Sequence, residues 1–397
     1  MRAHNLYYSI IVIAFGLFPL TPHKAKSISI IILFIMTIVL IIQEKKINLK
    51  PKNFFFGLFV FPLILGLINT EDFSNDLRIM SMQSSLLLTP LLMALKFNNR
   101  LIDVEKLKKI FFRTYFISTT LYVLINFIYF FIYENLKYPI YDSNFFRNAV
   151  LEIPIFSQHP IYSSIIVSIS VFFGFILVED SKKGVLNKGI IFSILLKIIF
   201  LMLLMSKGVL IALLLSFLFL ILIRRKFRIL LLLTITLIFL FFVIPHENNR
   251  FNEIFTASTY EKIDTESSTS IRTVILSCNF SLIKKPSLFG QGSMAYNNNL
   301  NECLNDKGVF KKYNSHNQYF NYLGSSGLIG LIAFILWFYF IFKSSWINKD
   351  FWFVSIIIFY FVGFLFENIL SRQSGVILFS FITTFLYLTS KKIPQKK

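Results

Sequence analysis

Long apolar segments alternate with short polar ones from the first residues of the chain to the last. An apolar segment of this kind crosses about 30 Å of hydrocarbon when it forms a helix. The pattern predicts about twelve transmembrane helices, which we place at residues 5–20, 27–43, 53–69, 77–95, 110–133, 155–178, 189–205, 208–223, 228–244, 319–342, 351–367 and 374–390. We therefore expect an all-α, polytopic integral membrane protein.

The polar segments divide the chain into three parts. We expect residues 1–244 to hold the first transmembrane helices, residues 245–318 to form one large loop, and residues 319–397 to hold the last helices and a cytoplasmic tail. A second loop, at 134–154, is of moderate length. A loop as long as 245–318 is uncommon unless it is functional, so it is the first place to search for a site.

The large loop shows internal order. Apolar residues at helical spacing predict a short amphipathic helix over 271–285, with N-cap oxygens from residues 268–270 and a stop at Pro286. Glycines in "FGQG", residues 289–292, predict a turn after it. Cys278 and Cys303 are the two cysteines of the chain and both lie in this loop. A disulfide and two free thiols both remain open.

The charge of the chain has a topological explanation. Lys and Arg number 40 against 20 Asp and Glu, giving a formal net charge of +20, although only 15% of all residues are charged. If the N-terminus is cytoplasmic, the basic residues concentrate in the loops on the cytoplasmic side, for example at 45–52, 96–109 and 224–228. The positive charge then indicates the orientation of the chain in the membrane rather than a nucleic-acid partner. In this orientation the large loop lies on the outer side.

Several motifs of metal-dependent or nucleotide-dependent enzymes are absent from the sequence. It contains no D-x-D, no G-x-x-x-x-G-K-[ST] phosphate loop and no H-E-x-x-H zinc motif. We therefore expect no cofactor and no metal. If the chain is an enzyme, protein cations must supply its electrostatic catalysis.

Three places on the outer side carry candidate chemistry. Two predicted helices meet almost without a loop at "LMSKGVL", residues 204–210, which leaves Ser206 and Lys207 at the membrane surface. Arg272 lies in the first turn of the predicted amphipathic helix, where a helix N-terminus also attracts anions. His316 stands where the helix from 319 begins. Taken singly, each has a structural alternative: a snorkelling lysine, a solvated arginine and a polar cap.

Together these three places suit a reaction with a diphosphate leaving group. Cations bind the diphosphate and stabilise the charge that grows on it as the bond breaks. Arginine does so with a planar fork and lysine as a point charge. A histidine, with an ordinary pKa near 6.5, can accept a proton from an attacking hydroxyl.

Four segments resemble the O-antigen ligase and polymerase superfamily. "MSKGVLIALLL" is similar to its S-R-G/T segment, and "SIRTVILSCNFSLIKKPSLFGQGS" to its Arg-bearing external helix and following turn. "SHNQYFNYLGSSGLIGLIAF" resembles its His-Asn motif with spaced glycines, and "FLFENILSRQSGVILF" its C-terminal acidic segment. The resemblance covers roughly residues 190–390. Lys207 stands where that superfamily usually has arginine, which keeps the charge and loses the fork.

The resemblance implies a glycosyltransferase of the bacterial inner membrane with its active site facing the periplasm. Its donor would be a glycan on an undecaprenyl diphosphate carrier. Its acceptor would be the lipid A core in a ligase, or the next repeat unit in a polymerase. Arg272 would contact the diphosphate with Lys207 and Ser206, and His316 would activate the acceptor hydroxyl.

Residues of secondary rank complete the candidate site: Asn317, His159, Tyr162, Arg250, Tyr260 and Glu367. Glu367 and Arg372 flank one short turn, so a simple ion pair between them is an alternative to a catalytic role. For the whole chain, a transporter of the lipid-linked glycan is the rival function. A transporter predicts ionisable residues along several helices at the membrane midplane, and the predicted helices contain few apart from Lys197 and Arg113.

Overall fold

The computed structural model describes residues 2–22, 25–44, 51–67, 72–96, 103–134, 143–181, 185–224, 267–283 and 287–390. In these ranges all regular structure is helical, which confirms the predicted all-α class. The first helices are α1 (Arg2–Gly16), α2 (Ile28–Glu44), α3 (Val60–Leu65, preceded by a 3-10 segment at Pro51–Phe59), α4 (Phe73–Gln83), α5 (Ser85–Lys96) and α6 (Val104–Tyr129). Then follow α7 (Ser143–Glu152), α8 (Pro160–Asp180), α9 (Val185–Leu204), α10 (Lys207–Arg224), α11 (Ser268–Leu282), α12 (Ser293–Asp306), α13 (Gln318–Ile347), α14 (Phe351–Phe366) and α15 (Gln373–Thr389).

The helices make this a membrane protein by length and composition. Among the described residues, six helical stretches are long and apolar enough to cross a membrane: Phe73–Leu95, Val104–Ile132, Pro160–Asp180, Asn187–Leu204, Lys207–Arg224 and Gln318–Ile347. Shorter apolar helices include Leu6–Gly16, Ile28–Gln43, Asn53–Leu65, Phe351–Phe366 and Gln373–Thr389. Each predicted transmembrane segment therefore coincides with helix, except 228–244, which lies outside the described residues. The total of about twelve stays a prediction.

Neighbouring helices pack around a continuous apolar core rich in phenylalanine. The most extensive contacts are those of α10 with α14, α1 with α6, α5 with α15, and α8 with α9. In that core the rings of Phe15 and Phe381 stack with centroids 3.7 Å apart, which joins the first helix to the last. Because the helices alternate in direction, the first residues of α8, α10, α13 and α15 lie at the same end of the bundle. We call it the site end, and the other the opposite end.

Two glycines join the large loop to a break in α13. Gly327 has φ of 69°, so the helix is interrupted there, and Gly290 in the loop has φ of 81°. The loop fills the break: Gln291 and Gly292 donate to the carbonyls of α13, and Leu328 donates back to Ser287 at 3.1 Å. A Cβ on Gly290 would lie 2.4 Å from a backbone oxygen of α13. The loop and α13 therefore each need a glycine, Gly290 and Gly327, where the two segments cross. The turn predicted at 289–292 is confirmed.

A small cap lies at the site end, formed by α11, α12 and the segment that follows them to residue 317. It has its own apolar core, which includes Ile275, Leu300 and Val309. Cys278 and Cys303 form a disulfide between α11 and α12, which decides between the two alternatives left open by the sequence.

Three local predictions for the loops were wrong. Helix α11 begins at residue 268 rather than 271, and Ser267, not one of residues 268–270, is its N-cap and accepts from the backbone N–H of Ser270. Helix α12 was not predicted, because its asparagine-rich sequence hides a short apolar stripe. Helix α7 was not predicted either, since the stretch 134–154 was interpreted as a loop.

Candidate functional site

The site is organised around the carboxylate of Glu367, the residue that follows α14. The side chain is only 9% exposed, and Oε2 lies 3.0 Å from Nδ1 of His316 and 3.3 Å from Nη2 of Arg272. Burial alone raises the pKa of the Glu367 carboxyl, but the hydrogen bond and charge of His316 and the charge of Arg272 outweigh it and lower the pKa below its ordinary value. Glu367 is therefore an anion that holds two candidate catalytic side chains in place.

His316 is held in an unusual backbone conformation just before α13. Its φ is 44°, and its backbone N–H donates to Oδ1 of Asn314 at 3.0 Å. A side chain kept at positive φ costs energy, and such strain is found most often at functional sites. The next residue, Asn317, caps α13 by accepting from two backbone N–H groups, and its amide donates to the carbonyl of Leu365. Asn317 therefore positions His316, because the side-chain oxygen and nitrogen of Asn317 are both used in hydrogen bonds that fix the start of α13.

Lys207 and Ser206 lie at the first turn of α10, after Met205 with φ of 44°. The ammonium of Lys207 donates to Oγ1 of Thr269 on the cap at 2.8 Å. Ser206 is buried, and its hydroxyl accepts from Ser164 at 2.9 Å. The lysine thus reaches the cap, as the sequence argument requires, whereas the serine hydroxyl is already bonded within the bundle.

Arg272 meets Lys207 across one small cavity. Arg272 is in the second turn of α11 rather than the first and turns toward Glu367, while Ser268 and Thr269 of the first turn line the same cavity. The expectation that Arg272 and the helix N-terminus share one anion stays a prediction. The cavity has a volume of about 60 Å³. Its polar lining is Ser206, Lys207, Ser268, Thr269, Arg272, Glu367 and Arg147.

Arg147 is a site residue that the sequence argument missed. It projects from α7, lines the same cavity, and donates through Nη1 to the carbonyl of Leu204 at the end of α9. A signal was present, because the buried residues Phe146, Ala149 and Val150 recur at helical spacing. With Arg147, the cavity gathers three cations and one carboxylate.

His159 and Tyr162 lie beside the cavity at the start of α8. Burial, followed by the positive charge of Arg372, lowers the pKa of His159 to about 4, so the ring is neutral. Its Nδ1 is buried with no hydrogen-bond partner among the described residues. The hydroxyl of Tyr162 donates to the carbonyls of Asn368 and Ile369 at 3.2 and 3.3 Å, and so supports the turn that carries Glu367.

The remaining residues considered from the sequence are Arg372, Arg250 and Tyr260. Arg372 does not pair with Glu367: its guanidinium carbon lies 5.7 Å from the ring centre of Tyr162, while Glu367 binds Arg272 and His316. The simple ion pair between Glu367 and Arg372 is therefore excluded. Arg250 and Tyr260 lie outside the described residues.

The arrangement is suited to an anion. Three cations and a histidine face one region in which the described residues provide a single carboxylate. In the part of the chain that the structure describes, no group of three or more His, Cys, Asp and Glu side chains is placed to hold a metal ion. Binding of a ligand with two linked negative charges would match the excess of positive charge.

Comparison with known proteins agrees with the resemblance. Residues 192–335 match the family model described as O-antigen ligase. The matched range contains Ser206, Lys207, Arg272 and His316, and it ends before Glu367. No curated protein matches the chain.

Proposed function

We propose that the chain, whose residues 192–335 match the O-antigen ligase family model, is a metal-independent glycosyltransferase of the ligase type. Its donor is a glycan on an undecaprenyl diphosphate carrier, and its acceptor is a hydroxyl of the lipid A core. The reaction takes place on the periplasmic side of the bacterial inner membrane. One observation carries the proposal: Lys207, Arg147 and Arg272 line one cavity beside the pair of Glu367 and His316.

The electrostatics fit the leaving group. Lys207, Arg147 and Arg272 line the cavity together with Glu367, the single carboxylate that the described residues provide there. A diphosphate that joins a lipid to a sugar carries one negative charge on each phosphate. The cations would neutralise these charges and stabilise the extra charge that forms as the sugar leaves. The cavity of about 60 Å³ would hold the phosphates, while the lipid and glycan lie outside it.

His316 acts as the general base in this proposal. Since its Nδ1 faces Glu367, the Nδ1–H donates to the carboxylate and leaves Nε2 with a lone pair. The acceptor oxygen attacks the anomeric carbon, its proton moves to Nε2, and the carbon–oxygen bond to the diphosphate breaks with its electrons on the diphosphate. Glu367 stabilises the protonated ring, the role that a carboxylate has beside histidine in other transferases and hydrolases.

Two other functions compete with the ligase. A polymerase would use the same donor and the same side chains but pass the glycan to a further repeat unit on the carrier lipid. A transporter of the lipid-linked glycan would need ionisable residues along its path. The charged groups of the cavity lie instead at helix ends, at one end of the bundle. That location favours transfer over transport.

The proposal is tested with purified protein in detergent, supplied with donor and lipid A core in the presence of a chelator. We expect glycan on the core for the wild type, and His316→Ala to lower the rate about a thousandfold through loss of the base. Arg224→Gln, at the opposite end, is the control and should retain activity. Glycan chains that lengthen on the carrier would indicate the polymerase. Absence of both products from the folded wild type would refute the enzyme.

A further inference from the structure

A large cavity in the described part of the chain is far from the site in the fold. It is a groove of about 680 Å³ between α6, α8 and α9, and we call it the α6–α9 groove. One end carries the charged side chains of Lys109, Arg113 and Asp180. Most of the remaining lining is apolar and includes Ile117 and Leu177, and two serines, Ser181 and Ser193, add hydroxyl groups. No step of the proposed glycan transfer uses this groove.

The polar and apolar parts of the groove follow the direction of the helices. Along α6, Lys109 and Arg113 precede Ile117, and about 12 Å of helix separates Lys109 from Ile117. Along α8, which runs the other way, Leu177 precedes Asp180 at the end of the helix. Lys109 and Asp180 also line a second cavity at the opposite end of the bundle. The charges therefore collect at the level of the opposite end, and the apolar walls extend toward the bundle centre.

The three charges are not used for internal ion pairs. Within the described residues, Lys109, Arg113 and Asp180 each lack a salt bridge, although other cations at the same end have one. An arginine exposed on a membrane-facing helix is costly unless its charge reaches headgroups or a partner. Two cations and one carboxylate above an apolar channel match a headgroup with a phosphate and a primary ammonium.

We propose that the α6–α9 groove binds one phosphatidylethanolamine molecule of the cytoplasmic leaflet. Arg113 and Lys109 bind its phosphate, Asp180 accepts from its ammonium, and an acyl chain lies along Ile117 and Leu177. A headgroup without the ammonium leaves the carboxylate unmatched. The site therefore prefers phosphatidylethanolamine to phosphatidylglycerol and, because three methyl groups block hydrogen bonding, to phosphatidylcholine.

Two glycines provide a matched pair of variants. A Cβ on Gly189, which lines the groove, would meet no atom within 4 Å, and the same holds for Gly57, which does not line it. Gly189→Trp therefore adds a large side chain at the wall of the groove, from a position where the Cβ itself meets no atom, whereas Gly57→Trp adds the same side chain elsewhere. Both proteins are first compared with the wild type by gel filtration and thermal unfolding in the same detergent.

The test is native mass spectrometry of the full chain with equal amounts of the three phospholipids. We expect one phosphatidylethanolamine to be retained by the wild type and by Gly57→Trp, and its bound fraction to fall about fivefold in Gly189→Trp, which corresponds to about 1 kcal/mol. Arg113→Gln should lower retention of all phosphate headgroups by a similar factor. Asp180→Asn should remove the preference for phosphatidylethanolamine over phosphatidylglycerol.

Equal retention of the three lipids by the wild type would overturn the proposal, and so would equal losses in the two tryptophan variants. Displacement of the phospholipid by undecaprenyl phosphate at equal concentration would also overturn it, because the occupant would then be the carrier lipid. The measurement contains no glycan and no transfer step. Its result is therefore independent of the proposed enzymatic function.

Discussion

The two ends of the bundle use similar side chains in different ways. At the opposite end, Lys108 pairs with Asp350 at 3.6 Å and Arg224 with Glu179 at 2.7 Å, so each of these two cations has its own carboxylate. At the site end, Arg272 and His316 share one oxygen of Glu367, and Lys207 donates to a neutral hydroxyl.

This difference shows that the way in which carboxylates are shared, rather than the number of cations, distinguishes these two groups of side chains. Paired cations near a surface stabilise a fold only slightly, and their field is cancelled by their partners. Cations that share one buried carboxylate, as Arg272 and His316 share Glu367, are suited to attract an anion. Four measurements test this contrast.

The largest effect is expected from the shared carboxylate. Glu367→Gln keeps the shape of the side chain but removes the charge that orients and stabilises protonated His316, so we expect transfer to fall about a thousandfold. The rate of glycan transfer by purified protein measures this. The control is Glu179→Gln at the opposite end, which should leave the rate within about twofold, because it weakens a partly exposed ion pair with Arg224 that lies away from the cavity. Equal losses in both variants would remove the distinction between the two ends.

The next effect concerns the cap that carries Arg272. Breaking the disulfide by the double change Cys278→Ser and Cys303→Ser frees a closed segment of the chain, and we expect the cap to lose about 3 kcal/mol of stability. Limited proteolysis should then cut within residues 267–317 much faster, while the opposite end keeps its protection. Unchanged cleavage of the cap would show that the apolar core around Ile275 and Leu300 holds it without the disulfide.

A third effect is a dependence of stability on pH at the site end. The pKa of His159 is lowered to about 4 by burial, while the unfolded value is near 6.5, so the unfolded chain binds the proton more tightly. Stability from the neutral ring is complete above pH 6.5 and is lost as the pH falls toward 4. We expect a loss of about 3 kcal/mol over this interval in the wild type, and a smaller loss in His159→Gln. Identical pH profiles of thermal unfolding would contradict this assignment.

The smallest effect is expected from Arg147. Its guanidinium lines the cavity but also binds the carbonyl of Leu204, so it contributes to both charge and structure. Arg147→Gln should lower transfer about tenfold, and Arg147→Lys should recover part of it because the charge returns without the fork. Arg224→Gln is again the control at the opposite end. Recovery by lysine separates an electrostatic role from a purely structural one, for which glutamine and lysine would perform alike.

The sequence predicts the helices well and the loops poorly, for a physical reason. Membrane helices must satisfy their backbone hydrogen bonds internally, so an apolar stretch is enough to predict them. Helices α7 and α12 are stabilised by tertiary contacts, since α12 buries Leu300 and Leu304 against α11 and is joined to it by the disulfide. Their sequences alone give weak patterns, and both were interpreted as loop.

The sequence indicates Arg272 and His316 as candidate residues, but it does not indicate which side chains they contact. Arg272 and His316 stand in recognisable segments at helix ends. Their shared contact with Glu367 spans 95 and 51 residues of sequence, and no local pattern shows which of several acidic or basic neighbours makes it. The same limit explains why pairing of Glu367 with Arg372, five residues away, was a reasonable alternative and is wrong.

The most direct measurement is an electron cryo-microscopy structure with the undecaprenyl diphosphate-linked glycan bound. We predict phosphate oxygens within about 3 Å of the guanidinium of Arg272 and of the ammonium of Lys207, and the anomeric carbon beside Nε2 of His316. Diphosphate density at the opposite end, or in a position where none of these three side chains touches it, would contradict the assignment of this cavity as the active site.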